Sequence, residues 1–179
     1  MKRQKTLKKK LEKEPRKIWN PEKFYIYLQK YYFAMKYVFV TAYDDFSDYK
    51  LLERIYDKLF SNINKDELTF YCTVGSSGDN TCAKYIRRHG MKMIDWLNPR
   101  KGKTIKEERK NILVQCNYAI IINNGYHKGM FTAADQARKY VNGNVAIIHT
   151  DLQEILKSNR VTNSVKTYGY NNDGFYEKE

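Results

Sequence analysis

The stretch F-Y-C-T-V-G-S-S-G-D-N-T-C-A, Phe70 to Ala83, decides the fold. Phe70 to Val74 is a short apolar run of β-branched, aromatic and small residues, as a buried strand requires. Gly75 and Gly78 then bracket Ser76 and Ser77, and Asp79 or Asn80 can cap the helix that follows. A strand, a glycine-bearing turn and a helix start together aim backbone N–H groups along the positive end of a helix dipole. That is a ready site for an anion.

The same unit recurs on both sides. Lys36 to Thr41 is an apolar strand, followed by the turn Ala42 to Phe46 and a helix over Ser47 to Phe60. In that helix Leu51, Leu52, Ile55, Tyr56, Leu59 and Phe60 repeat at the helical period. Leu68 to Val74 is the second strand, Asn80 to His89 the second helix, and Met91 to Trp96 the third strand. A basic loop, 97–103, leads to Thr104-x-x-Glu107, a capping box that opens a third helix. Tyr118 to Ile122 is a fourth strand, and Asn123 to Gly129, N-N-G-Y-H-K-G, is a second glycine turn. A helix over Phe131 to Asn142, a fifth strand over Val145 to His149 and a last helix over Asp151 to Ser158 complete the pattern.

Strands that are continuous apolar runs are covered on both faces. The expectation is an α/β fold: a Rossmann-like, doubly wound, mainly parallel five-stranded sheet with right-handed crossovers. Three segments follow. Residues 1–34 form a basic, aromatic helical extension, 35–158 the Rossmann-like domain, and 159–179 a polar C-terminal arm.

Composition narrows the function classes. No apolar run approaches the ~18 residues of a membrane span, and the basic N-terminus has no apolar stretch behind it, so neither a membrane protein nor a secretory leader is expected. Three cysteines without a C-x-x-C pair indicate reduced thiols in a reducing, cytoplasmic setting rather than zinc or disulfides. The net charge is +13, and residues 1–35 alone supply +8 of it, with eleven Lys or Arg against three Glu. That arm suits nucleic acid, or is a solvated tail. Its aromatic run, Phe24 to Phe33, suits packing or base stacking.

In a parallel sheet of this kind a ligand binds outside the carboxyl ends of the strands. The loops there carry the candidate site. Gly75, Ser76, Ser77 and Gly78 form one phosphate turn; Gly125, Lys128 and Gly129 form another. Arg109, with Lys110, lies early in the third helix, where an arginine can clamp a phosphate or carboxylate. Asp44, Asp45 and Asp48 could hold a magnesium ion, or cap the first helix.

This order of motifs, over about Met35 to Asp151, resembles the SLOG superfamily of Rossmann-like nucleotide-binding proteins, most closely its YspA-type branch, which is related to the LOG phosphoribohydrolases. The family's T-G-x-R-D-F falls on Thr41-Ala42-Tyr43-Asp44-Asp45-Phe46. Its G-G-A-R-G-A-D falls on Val74-Gly75-Ser76-Ser77-Gly78-Asp79-Asn80, its helix arginine on Arg109, and its G-x-x-R/K-G-T turn on Gly125 to Met130. Ala42, Asp44, Val74, Ser77, Asn80 and Met130 depart from those patterns. The resemblance implies a nucleotide-derived small-molecule ligand in a homo-oligomer, with Thr41 among the ligand contacts. By that resemblance Arg109 stands for the arginine and Asp135 for the glutamate of LOG-type catalysis, with Asp44, Asp135 or a bound magnesium ion expected to do the proton or charge work. Three functions are therefore expected in competition: ligand binding, a nucleotide N-glycosidase or phosphohydrolase activity, and a degenerate scaffold whose arm, residues 1–34, binds nucleic acid.

Overall fold

A computed structural model describes residues 35–96 and 104–178. The chain divides into two units, Met1–Ala34 and Met35–Glu179. The expected N-terminal helix, its aromatic face and the 97–103 loop lie outside the described residues.

The second unit runs β1 (Lys36–Ala42), α1 (Tyr49–Phe60), β2 (Leu68–Cys72), α2 (Ser77–Arg88), β3 (Lys92–Asp95), α3 (Ile105–Leu113), β4 (Tyr118–Asn123), α4 (Lys128–Tyr140), β5 (Asn144–His149), β6 (Glu154–Asn159), β7 (Ser164–Asn171) and β8 (Gly174–Glu177). All eight strands join one sheet in the order β3-β2-β1-β4-β5-β6-β7-β8. The pairings from β3 to β5 are parallel. Those from β5 to β8 are antiparallel.

The α/β class holds, but the sheet is mixed and eight-stranded, not mainly parallel and five-stranded. The difference lies wholly at the C-terminal end. The last helix expected over Asp151 to Ser158 is a turn followed by β6, and the polar arm expected over 159–179 carries β7 and β8. Leu152, Ile155 and Leu156 have helical spacing, yet Leu152 is exposed while Ile155 is buried against the strands. Gln153 adopts φ 50°, which turns the chain back along β5.

The sheet buries two cores, one on each face, because side chains along a strand alternate in direction. Val38, Val40, Ile120, Ile122 and Ile148 face α1 and α2, which present Leu52, Ile55, Cys82 and Ile86. Phe39, Ile121 and Ile147 face α3 and α4, which present Leu113, Ala133 and Ala137. Strands β1, β2, β4 and β5 are mostly buried, so each large aliphatic side chain there contributes about 1.5–3 kcal/mol of transfer free energy, whereas the edge strand β3 is half-exposed. The three thiols of Cys72, Cys82 and Cys116 are buried and free. No helix among the described residues is long and apolar enough to cross a membrane.

Candidate functional site

The chain leaves β3 at one edge and re-enters the sheet at β4, beside β1. The helices that follow β1 and β4 therefore lie on opposite faces, and their loops part over the carboxyl ends of these two strands. Such a switch point opens a crevice in a parallel sheet.

Three of the four described helices start on a side-chain cap. Asp48 accepts the Leu51 amide for α1, and Ser76 accepts the Asp79 amide for α2. Thr104 and Glu107 form the expected capping box of α3. At α4 the N-cap is His127, and no side chain caps the first turn. Its leading N–H groups consequently lack the side-chain acceptor that the other three helices have. Asn123 and Asn124 instead fold the approach to α4: Asn123 Oδ1 accepts the Gly125 amide at 3.0 Å and Asn124 Oδ1 accepts the Tyr126 amide at 3.2 Å. Gly125 sits at φ 82°, a conformation that favours glycine. Lys128 and Gly129, the first residues of α4, are exposed.

The first glycine turn is built differently. Gly78 is buried, its N–H donates to the Asp44 carbonyl at 2.8 Å, and a Cβ at this position would lie 1.9 Å from the Tyr43 carbonyl oxygen. This glycine exists so that α2 can touch the β1–α1 loop. Asp79 was a candidate cap, but Ser76 does the capping, and the Asp79 carboxylate turns inward. It accepts hydrogen bonds from Ala42 N at 2.9 Å, Thr41 Oγ1 at 3.1 Å and Thr73 Oγ1, tying the ends of β1 and β2 together. Burial raises its pKa from the ordinary carboxylate value, those three hydrogen bonds oppose the rise, and nearby Asp44 adds a further upward push. Thr41, an expected ligand contact, is thus buried beneath the edge as a partner of Asp79. Gly75 and Ser77 are exposed in the turn.

The remaining expected residues separate. Asp44 reaches across the crevice to His127, with its carboxylate 3.3 Å from Nε2. The backbone spans the same gap, Tyr43 N donating to the Ile122 carbonyl at 3.1 Å. Arg109 is half-buried between α3 and α4 and donates to Gln136 Oε1 at 3.5 Å. Its Nε is shielded from solvent and has no hydrogen-bond partner. Burial lowers its pKa, and the Asp79 carboxylate opposes that shift. Lys110 lies 5.2 Å over the Tyr140 ring, at the opposite end of α4 from the His127 turn. Asp135 stands on the solvent side of α4, 78 % exposed, with Arg138 Nη1 3.9 Å from its carboxylate. Asp48 is committed through Oδ1 to the α1 cap. Among the described residues no three His, Cys, Asp or Glu side chains gather as ligands for a metal ion.

Two features of the site had no counterpart in the sequence reading. Asn123 is fully buried at the end of β4, with Nδ2 lacking a hydrogen-bond partner. His127 supplies the partner of Asp44. A hint of both was present, since N-N-G-Y-H-K-G places polar residues directly after an apolar strand.

The chain matches no protein-family model and no curated protein.

Proposed function

We propose that the domain binds the phosphate of a nucleotide-derived ligand at the β1–β4 crevice, on the first turn of α4. The reading carries the resemblance to SLOG domains and the Rossmann-like description of the parallel strands with it. The observation that supports it is the uncapped start of α4. There the leading backbone N–H groups of Lys128 and Gly129 meet the positive charge of Lys128 and a glycine pair that admits close approach, while the Met130 amide donates to the His127 carbonyl at 2.9 Å. Arg109 adds a shielded guanidinium whose Nε lacks a partner. The G-S-S-G turn is left out of this anion site, because Gly78 and its amide are used in packing α2 against the β1–α1 loop.

The test is a thermal-shift titration of the full chain with mononucleotides and ADP-ribose. A ligand at 100 times its Kd adds about 2.7 kcal/mol to stability. Lys128→Glu puts a carboxylate on the anion site from an exposed position. It is expected to abolish the shift without lowering the stability of the free protein. A shift of the same size in Lys128→Glu and the parent would overturn the assignment.

A second reading, hydrolysis of the bound nucleotide, has one observation in its favour. Asp44 and His127 form a carboxylate–imidazole pair at the mouth of the crevice, able to hold and pass on a proton. It requires release of free base or phosphate that Asp44→Asn reduces at least tenfold; no product from the parent chain rejects it.

A further inference from the structure

A cavity of about 240 Å³ opens between the start of α1 and the turns that join β5 to β6 and β7 to β8. Its lining is mainly polar. Gln153 and Asn172 come from the two turns, and Asp48 and Arg54 from α1 and its cap. The two charges line one cavity without neutralising each other. Among the described residues neither Asp48 nor Arg54 belongs to an ion pair.

Both side chains are held in place, and both keep capacity to spare. Asp48 Oδ1 accepts the Leu51 amide at 2.9 Å, which orients the carboxylate, and no donor among the described residues meets Oδ2. Arg54 Nη1 donates to the Asn171 carbonyl at 2.6 Å, while its Nε is shielded from solvent and has no partner. A shielded donor left unpaired is costly, more so on a charged group. The spacing of the two charges follows from the helix. Six residues put their Cα atoms about 9 Å apart along the axis. Helical side chains lean toward the N-terminus, so Arg54 leans toward Asp48 without pairing with it. Burial pushes the pKa of the Tyr170 hydroxyl up to about 12; Asp48 adds to that rise and Arg54 opposes it, so both charges act on one group in the cavity wall.

This lining selects a chemical class. A bare anion drawn to Arg54 meets the repulsion of Asp48, and a bare cation drawn to Asp48 meets that of Arg54. A neutral ligand leaves both charges unpaired. A zwitterion pairs both at once and brings no net charge into the site. The volume lies below the ~300–1,000 Å³ of sites that hold drug-sized ligands, so the zwitterion is a small one.

We infer that this cavity binds a free α-amino acid, with its ammonium group on Asp48 and its carboxylate on Arg54. The site is separate from the phosphate site proposed at α4 and does not rest on it.

The experiment is calorimetric titration of the full chain with each of the standard amino acids. The tightest binder is then compared with its decarboxylated amine and its deaminated acid. At least one amino acid is expected to bind, and each single-charge analogue to bind about tenfold more weakly or worse, as the loss of one charge-assisted contact requires. Asp48→Asn removes the negative charge and keeps a side chain that caps α1 equally well, so its urea midpoint is expected to match the parent. Its affinity for the amino acid is expected to fall about tenfold or more. The inference is overturned if no amino acid binds the parent. It is equally overturned if either single-charge analogue binds as tightly as the amino acid, or if a folded Asp48→Asn protein binds as tightly as the parent.

Discussion

Replacing Gly78 with alanine distinguishes a packing glycine from a phosphate-binding one. The added Cβ would stand 1.9 Å from the Tyr43 carbonyl oxygen and 3.2 Å from the Ala42 Cβ. Ordinary contact lies above about 3.4 Å, so α2 or the β1–α1 loop must retreat by more than an ångström. Neither is free to do so. The Gly78 amide bonds to the Asp44 carbonyl at 2.8 Å, and one residue further on Asp79 grips both β1 and the end of β2. Overpacking of a tight contact costs about 1–3 kcal/mol. Losing the amide hydrogen bond adds about 0.5–1.5 kcal/mol. Together they predict a loss of about 2–4 kcal/mol, or a Tm lower by roughly 6–12 °C for a domain of this size. Urea unfolding followed by circular dichroism measures it, with Gly75→Ala as a comparison. Gly75 is exposed, and its substitution is expected to cost less than about 0.5 kcal/mol. A Gly78→Ala protein as stable as the parent would refute the close-packing account. If that variant also lost affinity for pyrophosphate, the G-S-S-G turn would return as the anion site.

Other consequences can be checked in the same preparations. Asp79 binds its proton more tightly when folded than when unfolded, so the folded state gains stability at low pH from this group and loses it as pH rises through the carboxylate range. Between pH 4 and 7, Asp79→Asn is therefore expected to show a smaller decline in urea midpoint than the parent; parallel declines would remove Asp79 as the cause. All three thiols are buried, with the pKa of Cys116 raised to about 12 and those of Cys72 and Cys82 also raised by burial. A thiol reagent should label native protein at the rate of global or local opening and label all three in urea; fast native labelling would contradict that burial. Asp135→Asn alters one exposed, loosely paired carboxylate, so stability and nucleotide affinity are expected to stay within about 0.5 kcal/mol of the parent. A larger loss of affinity would return Asp135 to the site.

The central parallel strands were legible because β1 and β4 are buried on both faces. Val38 to Val40 and Ala119 to Ile122 can only be interior, and each is followed by a helix whose apolar residues share one side. The C-terminal half was not legible for the opposite reason. β7 and β8 lie toward the free edge with mostly solvated side chains, and their composition reads as an arm. The sign that could have found them is Asn172-Asp173-Gly174, a hairpin signature between Tyr168 and Tyr170 on one side and Phe175 on the other. At the site, a glycine turn after a strand has two physical explanations, anion approach and helix–loop contact. Residue types at Gly75 to Gly78 do not separate them; the position of the Tyr43 carbonyl does. The Asp44–His127 pair joins residues 83 positions apart and depends on β1 and β4 being neighbours.

The C-terminal strands differ from the others in how they are joined. β6, β7 and β8 each pair with the strand before them in the chain, so their contacts close short loops and cost little chain entropy. They also bury few side chains, chiefly Ile155 and Tyr170. A segment with local pairing and thin burial exchanges its amide protons through its own small opening rather than through unfolding of the whole domain. Hydrogen exchange should therefore show β7 and β8 as a fast-exchanging unit beside slow β1 and β4. Each such opening carries Tyr170 and Asn172 away from Arg54 and Phe46. The breathing of these strands then sets how often Tyr170 is uncovered, while the parallel core stays intact.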